Sequence, residues 1–207
     1  MNKNFTSEQE EFWAGEFGND YTQRNKNVYL LSSNIAMFSK ILSNSCAKVT
    51  SLIEFGSNIG LNLIAIKKLL PECELSAVEI NKSAVKELQK LEQVKVYNKS
   101  LFDFEIDYQR DFALSKGLLI HLAPEKLKEA YEIIFKSSKK YICLAEYYNP
   151  TPVEISYRGH VGKLFKRDFA GEMMDLYKDL KLIDYGFIYH RDSNFPQDDL
   201  TWFLLKK

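Results

Sequence analysis

The chain has 207 residues, 45% of them apolar, with 28 basic and 28 acidic side chains and a formal net charge of zero. That length and apolar content support one α/β domain with a full core. Neutrality argues against a protein that wraps duplex nucleic acid, which needs excess basic charge to neutralise phosphates. Cys46, Cys73 and Cys143 are odd in number and lack metal-site spacing, so no metal is expected and the thiols read as reduced, mostly buried and cytoplasmic. The opening MNKNFTSEQEEFW has no apolar signal core, and no apolar run approaches a membrane span.

Taken in chain order, Ser7-x-x-Glu10 predicts a capped first helix with Phe12, Trp13 and Phe17 on its apolar face. Gly18-Asn19-Asp20 should stop it, and Tyr21-Thr22-Gln23-Arg24-Asn25 follows. A second helix over about 28–44 packs beside a sheet, so residues 1–45 form a helical cap and 46–207 the core.

Residues 49–60 organise everything after that. A β-branched, apolar run ends in Glu54-Phe55-Gly56-Ser57-Asn58-Ile59-Gly60, and an amphipathic helix over 59–70 follows. This is the strand–turn–helix start of a Rossmann-like unit. Gly56 can take a backbone conformation closed to other residues, and Gly60 lets the helix sit close to the strand. A dinucleotide site would keep carboxylates away from its pyrophosphate. Glu54 instead suits an ammonium group, such as that of S-adenosylmethionine. The pattern Glu-x-Gly-x-Asn-x-Gly resembles motif I of class I methyltransferases, with Asn58 at the middle glycine, where Asn tolerates positive φ.

The second strand, over 74–80, ends in Val78-Glu79-Ile80. Glu79 can accept both ribose hydroxyls of an adenosine, and Ile80 would lie against the adenine. A helix over 81–91 and a third strand over 94–98 lead to Lys99-Ser100-Leu101-Phe102-Asp103. Class I methyltransferases often carry an Asp at the position of Ser100, bonded to the adenine amino group. Here that contact falls to Ser100, to the Leu101 backbone or to Asp103. The fourth strand, over 111–116, ends at Lys116, which would face the cofactor where the methyl is transferred.

Gly117-Leu118-Leu119-Ile120-His121 follows, resembling the loop after the fourth strand of small-molecule methyltransferases, and then a helix from Pro124 to about residue 137. His121 reads either as a base, a pocket-lining residue or a satisfied core histidine. The fifth strand, over 141–147, opens a long aromatic loop, residues 146–160, containing Glu146, Tyr147, Tyr148, Asn149, Tyr157, Arg158 and His160. Loops at the carboxyl edge of such a sheet build substrate pockets. Residues 163–180 read as a charged loop and helix, and 181–190 with 201–207 as an antiparallel C-terminal hairpin. The expected fold is a seven-stranded, mostly parallel sheet with helices on both faces.

The chain resembles, nearly end to end, a narrow group of bacterial methyltransferases associated with pseudaminic and related nonulosonic acid biosynthesis. The resemblance rests on residues 9–15, 54–62, 117–121, 146–160 and 195–205. It implies a cytoplasmic enzyme that uses S-adenosyl-L-methionine to methylate a sugar, or its nucleotide-activated form, for surface-glycan or flagellin decoration. Tyr21 and Arg24 would fold over the cofactor, the Arg pairing with its carboxylate through a bidentate fork. Glu54, Gly56, Asn58, Gly60, Glu79, Ile80, Ser100, Leu101 and Lys116 would complete the cofactor site. His121, Glu146 or His160 would take the acceptor proton, and Tyr147, Tyr148, Asn149, Tyr157 and Arg158 would hold the acceptor. A binding protein without turnover, or a methyltransferase of another small molecule, a protein or a nucleic acid, remain the alternatives. Neutral charge disfavours the nucleic acid.

Overall fold

The apolar run before the first glycine turn becomes β1 (Ser51–Phe55), whose last four residues are buried. The computed structural model describes residues 5–24 and 28–207, apart from the side chains of residues 23 and 28. Four strands run parallel with β1: β2 (Glu74–Val78), β3 (Val94–Tyr97), β4 (Arg110–Lys116) and β5 (Ser138–Glu146). A short ribbon pairs β6 (Val153–Glu154) with β7 (Phe165–Lys166). The chain closes with β8 (Lys181–Ile188) and β9 (Leu200–Lys206), β9 lying antiparallel between β5 and β8. The main sheet has the seven strands and the antiparallel C-terminal pair that the sequence predicts, and their order is β3-β2-β1-β4-β5-β9-β8.

The helices are α1 (Glu8–Ala14), α2 (Glu16–Arg24), α3 (Val28–Ser43), α4 (Leu61–Leu69), α5 (Lys82–Leu88), α6 (Leu127–Ser137) and α7 (Phe169–Leu176). Alternation along the strands divides the core between two faces. Ile53, Phe55, Ile142 and Leu144 pack with Tyr131 and Ile134 of α6 and Met173 of α7. Leu52, Phe112, Leu114 and Cys143 pack with Phe38 of α3 and Leu63 and Ile66 of α4. Each such fully buried Leu, Ile or Phe side chain contributes about 1.5–3 kcal/mol. The same alternation turns Glu54 toward the α4 face.

The N-terminal segment departs from the sequence reading. Ser7 caps α1 as expected, its hydroxyl accepting the Glu10 N–H at 3.2 Å. Glu10 does not reach back to Ser7; its carboxylate accepts the Thr6 N–H at 2.6 Å. Nor does Gly18-Asn19-Asp20 stop a helix, because the break comes at Gly15 and α2 runs through those residues. Packing overrides propensity here. A Cβ on Gly18 would lie 1.9 Å from the Trp13 carbonyl and 2.7 Å from Asn81 Nδ2, so only glycine permits this approach. Asn81 fastens the cap to the sheet, donating to the Trp13 carbonyl at 3.0 Å while its own oxygen caps α5. Residue 25, the end of the expected Tyr–Arg segment, lies outside the described residues.

The expected aromatic loop is instead a hairpin arm. Beyond the β6–β7 ribbon, Tyr157 and His160 exchange two backbone bonds of 2.8 and 3.0 Å. Arg158 and Gly159 turn the chain with φ of +52° and +86°, the signs of a type I′ turn. Gln9 Nε2 donates to the Gly162 carbonyl at 2.9 Å, and the Phe12 and Phe17 rings lie 4.9 and 5.5 Å from that of His160. The arm and the cap therefore close over the carboxyl edge of the sheet together.

Candidate functional site

The turn after β1 adopts the backbone that its glycines and asparagine allow. Gly56, Asn58 and Gly60 have φ of +71°, +47° and +82°. The Gly56 N–H donates to the Val78 carbonyl at 2.9 Å, which ties the turn to β2. A Cβ on Gly56 would press on Leu118 at 3.0 Å, and one on Gly60 on Leu88 and Leu91 at 2.8 Å. Glu79, buried at the end of β2, accepts the Asn58 N–H and the Asn81 N–H, each at 2.7 Å. Burial raises its pKa, and the N–H groups of Asn81, Asn58 and Ile80 pull it back.

Glu54 is wholly buried. Its Oε1 accepts from Asn62 Nδ2 at 2.5 Å, while Oε2 has no partner among the described residues. Burial pushes its pKa up to about 8, against the Asn62 hydrogen bond and the Lys116 charge. Half-buried Lys116, at the end of β4, has its pKa lowered by burial and raised again by Glu54, Asp198 and Glu146.

Two cavities open above this edge and meet at Tyr21, Gly56, Asn58, Gly117 and His121. The smaller, about 110 Å³, is floored by Glu79, Ile80, Ser100 and Leu101 and roofed by Glu10, Trp13 and Gly18 of the cap. The larger, about 390 Å³, lies within the range of small-molecule sites. Arg24, Asn62, Lys116, Tyr147, Tyr157, Arg158, Gln197 and Asp198 line it.

His121 stands between the two. Its Nδ1 is 2.7 Å from the Lys163 carbonyl, an acceptor only, so Nδ1 carries the proton and Nε2 keeps its lone pair. Burial pushes its pKa down to about 4. The rings of Trp13 and Tyr157 lie 4.5 and 5.0 Å from its own. Arg24 lies 5.4 and 5.9 Å from the Phe17 and Tyr21 rings, which hold its guanidinium against the cap.

Four residues expected in the catalytic and acceptor sets lie outside both cavities. Glu146 is buried at the end of β5, where its carboxylate accepts the Ser115 hydroxyl at 2.8 Å and the N–H groups of Leu118, Leu119 and Ile120. Burial pushes its pKa up to about 7, yet those four donors leave it fastening the 117–121 turn rather than facing an acceptor. His160 is exposed, its ring against Phe12 and Phe17 on the far side of the arm. Tyr148 turns toward Phe203 of β9, and half-buried Asn149 bonds the Thr151 carbonyl at 2.6 Å. Period-two alternation at the end of β5 sends Glu146 and Tyr148 to the face opposite Tyr147, which alone of the three lines either of the two cavities; it does not account for Asn149 or His160. Asp103 is exposed, so the Ser100 and Leu101 alternatives are the ones that reach the smaller cavity. Sequence reasoning missed Glu10, Trp13 and Asp198; Glu10 carries a signal only as a helix-capping acid.

No family model matches the chain, and no curated protein matches it by sequence. Solved structures do match in three dimensions. Magnesium protoporphyrin IX methyltransferase from Synechocystis PCC 6803, with bound S-adenosylhomocysteine, superposes with a TM-score of 0.72 at 10% identity, over 96% of this chain and 97% of that one. The 1,6-didemethyltoxoflavin-N1-methyltransferase of Burkholderia thailandensis, bound to 1,6-didemethyltoxoflavin and S-adenosylhomocysteine, gives 0.69 at 9% identity, over 100% and 93%. The plantazolicin methyltransferase BpumL in complex with S-adenosylhomocysteine gives 0.65 at 14%, over 96% and 93%. The fold is that of S-adenosylmethionine-dependent methyltransferases. These neighbours act on unrelated small molecules and natural products, so the likeness is one of scaffold, and the chemistry must be argued from the site. Among the described residues, no His, Cys, Asp and Glu group has the makings of a metal site, and no helix is long and apolar enough to cross a membrane.

Proposed function

We propose that this chain is an S-adenosylmethionine-dependent methyltransferase of a small, polar, anionic acceptor. The observation that carries the reading is the meeting of two cavities at one glycine turn. A strand-end carboxylate, Glu79, opens on the smaller, and three cations, Arg24, Lys116 and Arg158, with Asp198 opposing them, line the larger. The residues present fit the cofactor. Gly56, at a φ that disfavours any Cβ, lines both cavities with its backbone, and Glu54 bonds Asn62 of the larger cavity's wall through Oε1 while its Oε2 stays unpartnered among the described residues.

When bound, S-adenosylmethionine supplies an electrophilic methyl on a sulfonium. The chain's own residues position the partners around it. Glu79 accepts the ribose hydroxyls, its carboxylate held in place by the Asn58 and Asn81 N–H groups. Glu54, buried behind the wall, acts on the ammonium end through Asn62, and Arg24 takes the carboxylate. Trp13, Tyr157 and the cap exclude water. His121 presents Nε2 at the junction; with its pKa at about 4 it orients an acceptor O–H or N–H by accepting a hydrogen bond, and the proton passes on to solvent.

The finer acceptor, a nonulosonic acid or its nucleotide-activated form modified on oxygen or nitrogen, rests on the sequence resemblance. Arg158, the lining cation not assigned to the cofactor, and the Tyr147 and Tyr157 faces support a polar sugar acid over a lipid, which calls for an apolar mouth. Methyl-labelled S-adenosylmethionine, incubated with the protein and a panel of sugar acids and cell-extract metabolites, followed by mass analysis, tests both levels. Label on a sugar acid is expected, and Arg158→Ala should raise its KM severalfold with cofactor affinity unchanged. Label on a neutral or apolar metabolite alone overturns the acceptor class, and tight cofactor binding without any transfer makes the protein an accessory binder.

A further inference from the structure

A carboxylate from the N-terminal cap reaches the floor of the smaller cavity. Glu10 on α1 is 6% exposed and lines that cavity beside Ile80, Ser100, Leu101 and Phe102. Its Oε2 accepts the Thr6 N–H at 2.6 Å and the Thr6 hydroxyl, and its Oε1 accepts the Ser100 hydroxyl, 90 residues away. A carboxylate has room for about four donors, so one direction stays open. Ser100 has no proton to spare: it goes to Glu10, and one of the two lone pairs of its oxygen takes the Phe102 N–H at 3.1 Å.

The strands order what a nucleoside would meet here. Glu79 follows β2, and Ser100 follows its neighbour β3, one strand spacing of about 4.8 Å further out. With a ribose at Glu79, a base reaching toward β3 would meet Ile80, Ser100, Leu101 and, from the cap, Glu10, all of which line this cavity. An ionised carboxylate there rewards a donor and repels a carbonyl oxygen.

We propose, resting on the methyltransferase reading above, that Glu10 selects the 6-amino group of the cofactor's adenine over a 6-oxo purine. The base-reading group then sits on α1, and recognising adenine and seating the cap on the sheet become one event.

Calorimetry on the full chain tests this with S-adenosylhomocysteine and its 6-oxo counterpart, S-inosylhomocysteine. The wild type should prefer the amino form strongly, and Glu10→Gln should narrow that preference about tenfold or more, because a glutamine amide can also donate to a 6-oxo group. Asp103→Ala, which removes an exposed carboxylate of the same loop, should keep the preference. If Glu10→Gln does not fold, Glu10→Asp, withdrawn by one methylene, is read the same way. An unchanged preference, or equal weakening of both ligands, makes Glu10 a structural tie and overturns the proposal. A wild type that binds neither ligand overturns the methyltransferase reading with it.

Discussion

Glu79 and Glu146 occupy equivalent places, each buried at the carboxyl end of a parallel strand, each with a raised pKa, and each fed by backbone N–H groups. Their surroundings differ. Glu79 ties the turn after β1 to the start of α5 and still borders a cavity. Glu146 is saturated by four donors from β4 and the turn behind it, and faces neither cavity of the candidate site. A strand-end acid is therefore a ligand group or a loop fastener according to its donors and what closes over it. Residue type alone does not decide.

The sharpest way to break this contrast is Glu146→Ala. It strands the Leu118, Leu119 and Ile120 N–H groups in the interior and should cost about 3 kcal/mol or more of folding stability, read from the urea midpoint. Because Gly117 and His121 line both cavities, cofactor affinity should fall with it. A stable Glu146→Ala protein with normal affinity and no turnover would return this residue to the catalytic set.

Glu79→Ala should show the opposite balance. Water in the cavity can satisfy the Asn58 and Asn81 N–H groups, so stability should drop by only about 1 kcal/mol. Affinity for S-adenosylhomocysteine should fall by about 1–3 kcal/mol, the range for a hydrogen bond to a charged group. Equal affinity in calorimetry removes Glu79 from the ribose site.

Glu54 offers a test by pH. Its folded pKa, about 8, lies above its ordinary 4.5, so its contribution to stability is complete below pH 4.5 and is lost as the pH rises through 8. Glu146 shares the sign, but its loss is centred near pH 7. His121 has the reverse sign: its pKa of about 4 lies below 6.5, so its contribution is present above pH 6.5 and is lost as the pH falls through 4. Urea midpoints between pH 7 and 8.5 should fall more steeply in the wild type than in Glu54→Gln. Parallel slopes would place that titration elsewhere.

The smallest effect should come from Asn58→Gly. Asn already adopts φ of +47°, and the N–H bonded to Glu79 is kept. Stability should change by less than about 0.5 kcal/mol, because Asn visits this region readily. Affinity should stay within about twofold of the wild type, a scale below one hydrogen bond. A large loss of affinity would mean that the Asn58 side chain itself touches the ligand.

The β1 turn was legible because its determinants are local. A buried run, a terminal acid, two glycines and one tolerant asparagine lie within 51–60, and the strand order follows from parallel strands joined by helices. Gly56, Asn58 and Glu79 accordingly lie at the cavity edge where their neighbours in sequence put them, whereas Glu54 is buried behind it. The 146–160 arm was misread as an open loop because its ribbon has only two paired positions per strand and its turn is Arg-Gly rather than Asn-Gly. The fates of Glu10 and Glu146 depended on donors 90 and 31 residues away in the chain. How many hydrogen bonds a buried carboxylate spends on its own fold, and so how many it keeps for a ligand, depends on which distant segments pack against it. Local pattern determined the scaffold and the first glycine turn; only tertiary packing decided which acids face the cavity, because that packing alone brings the competing donors together.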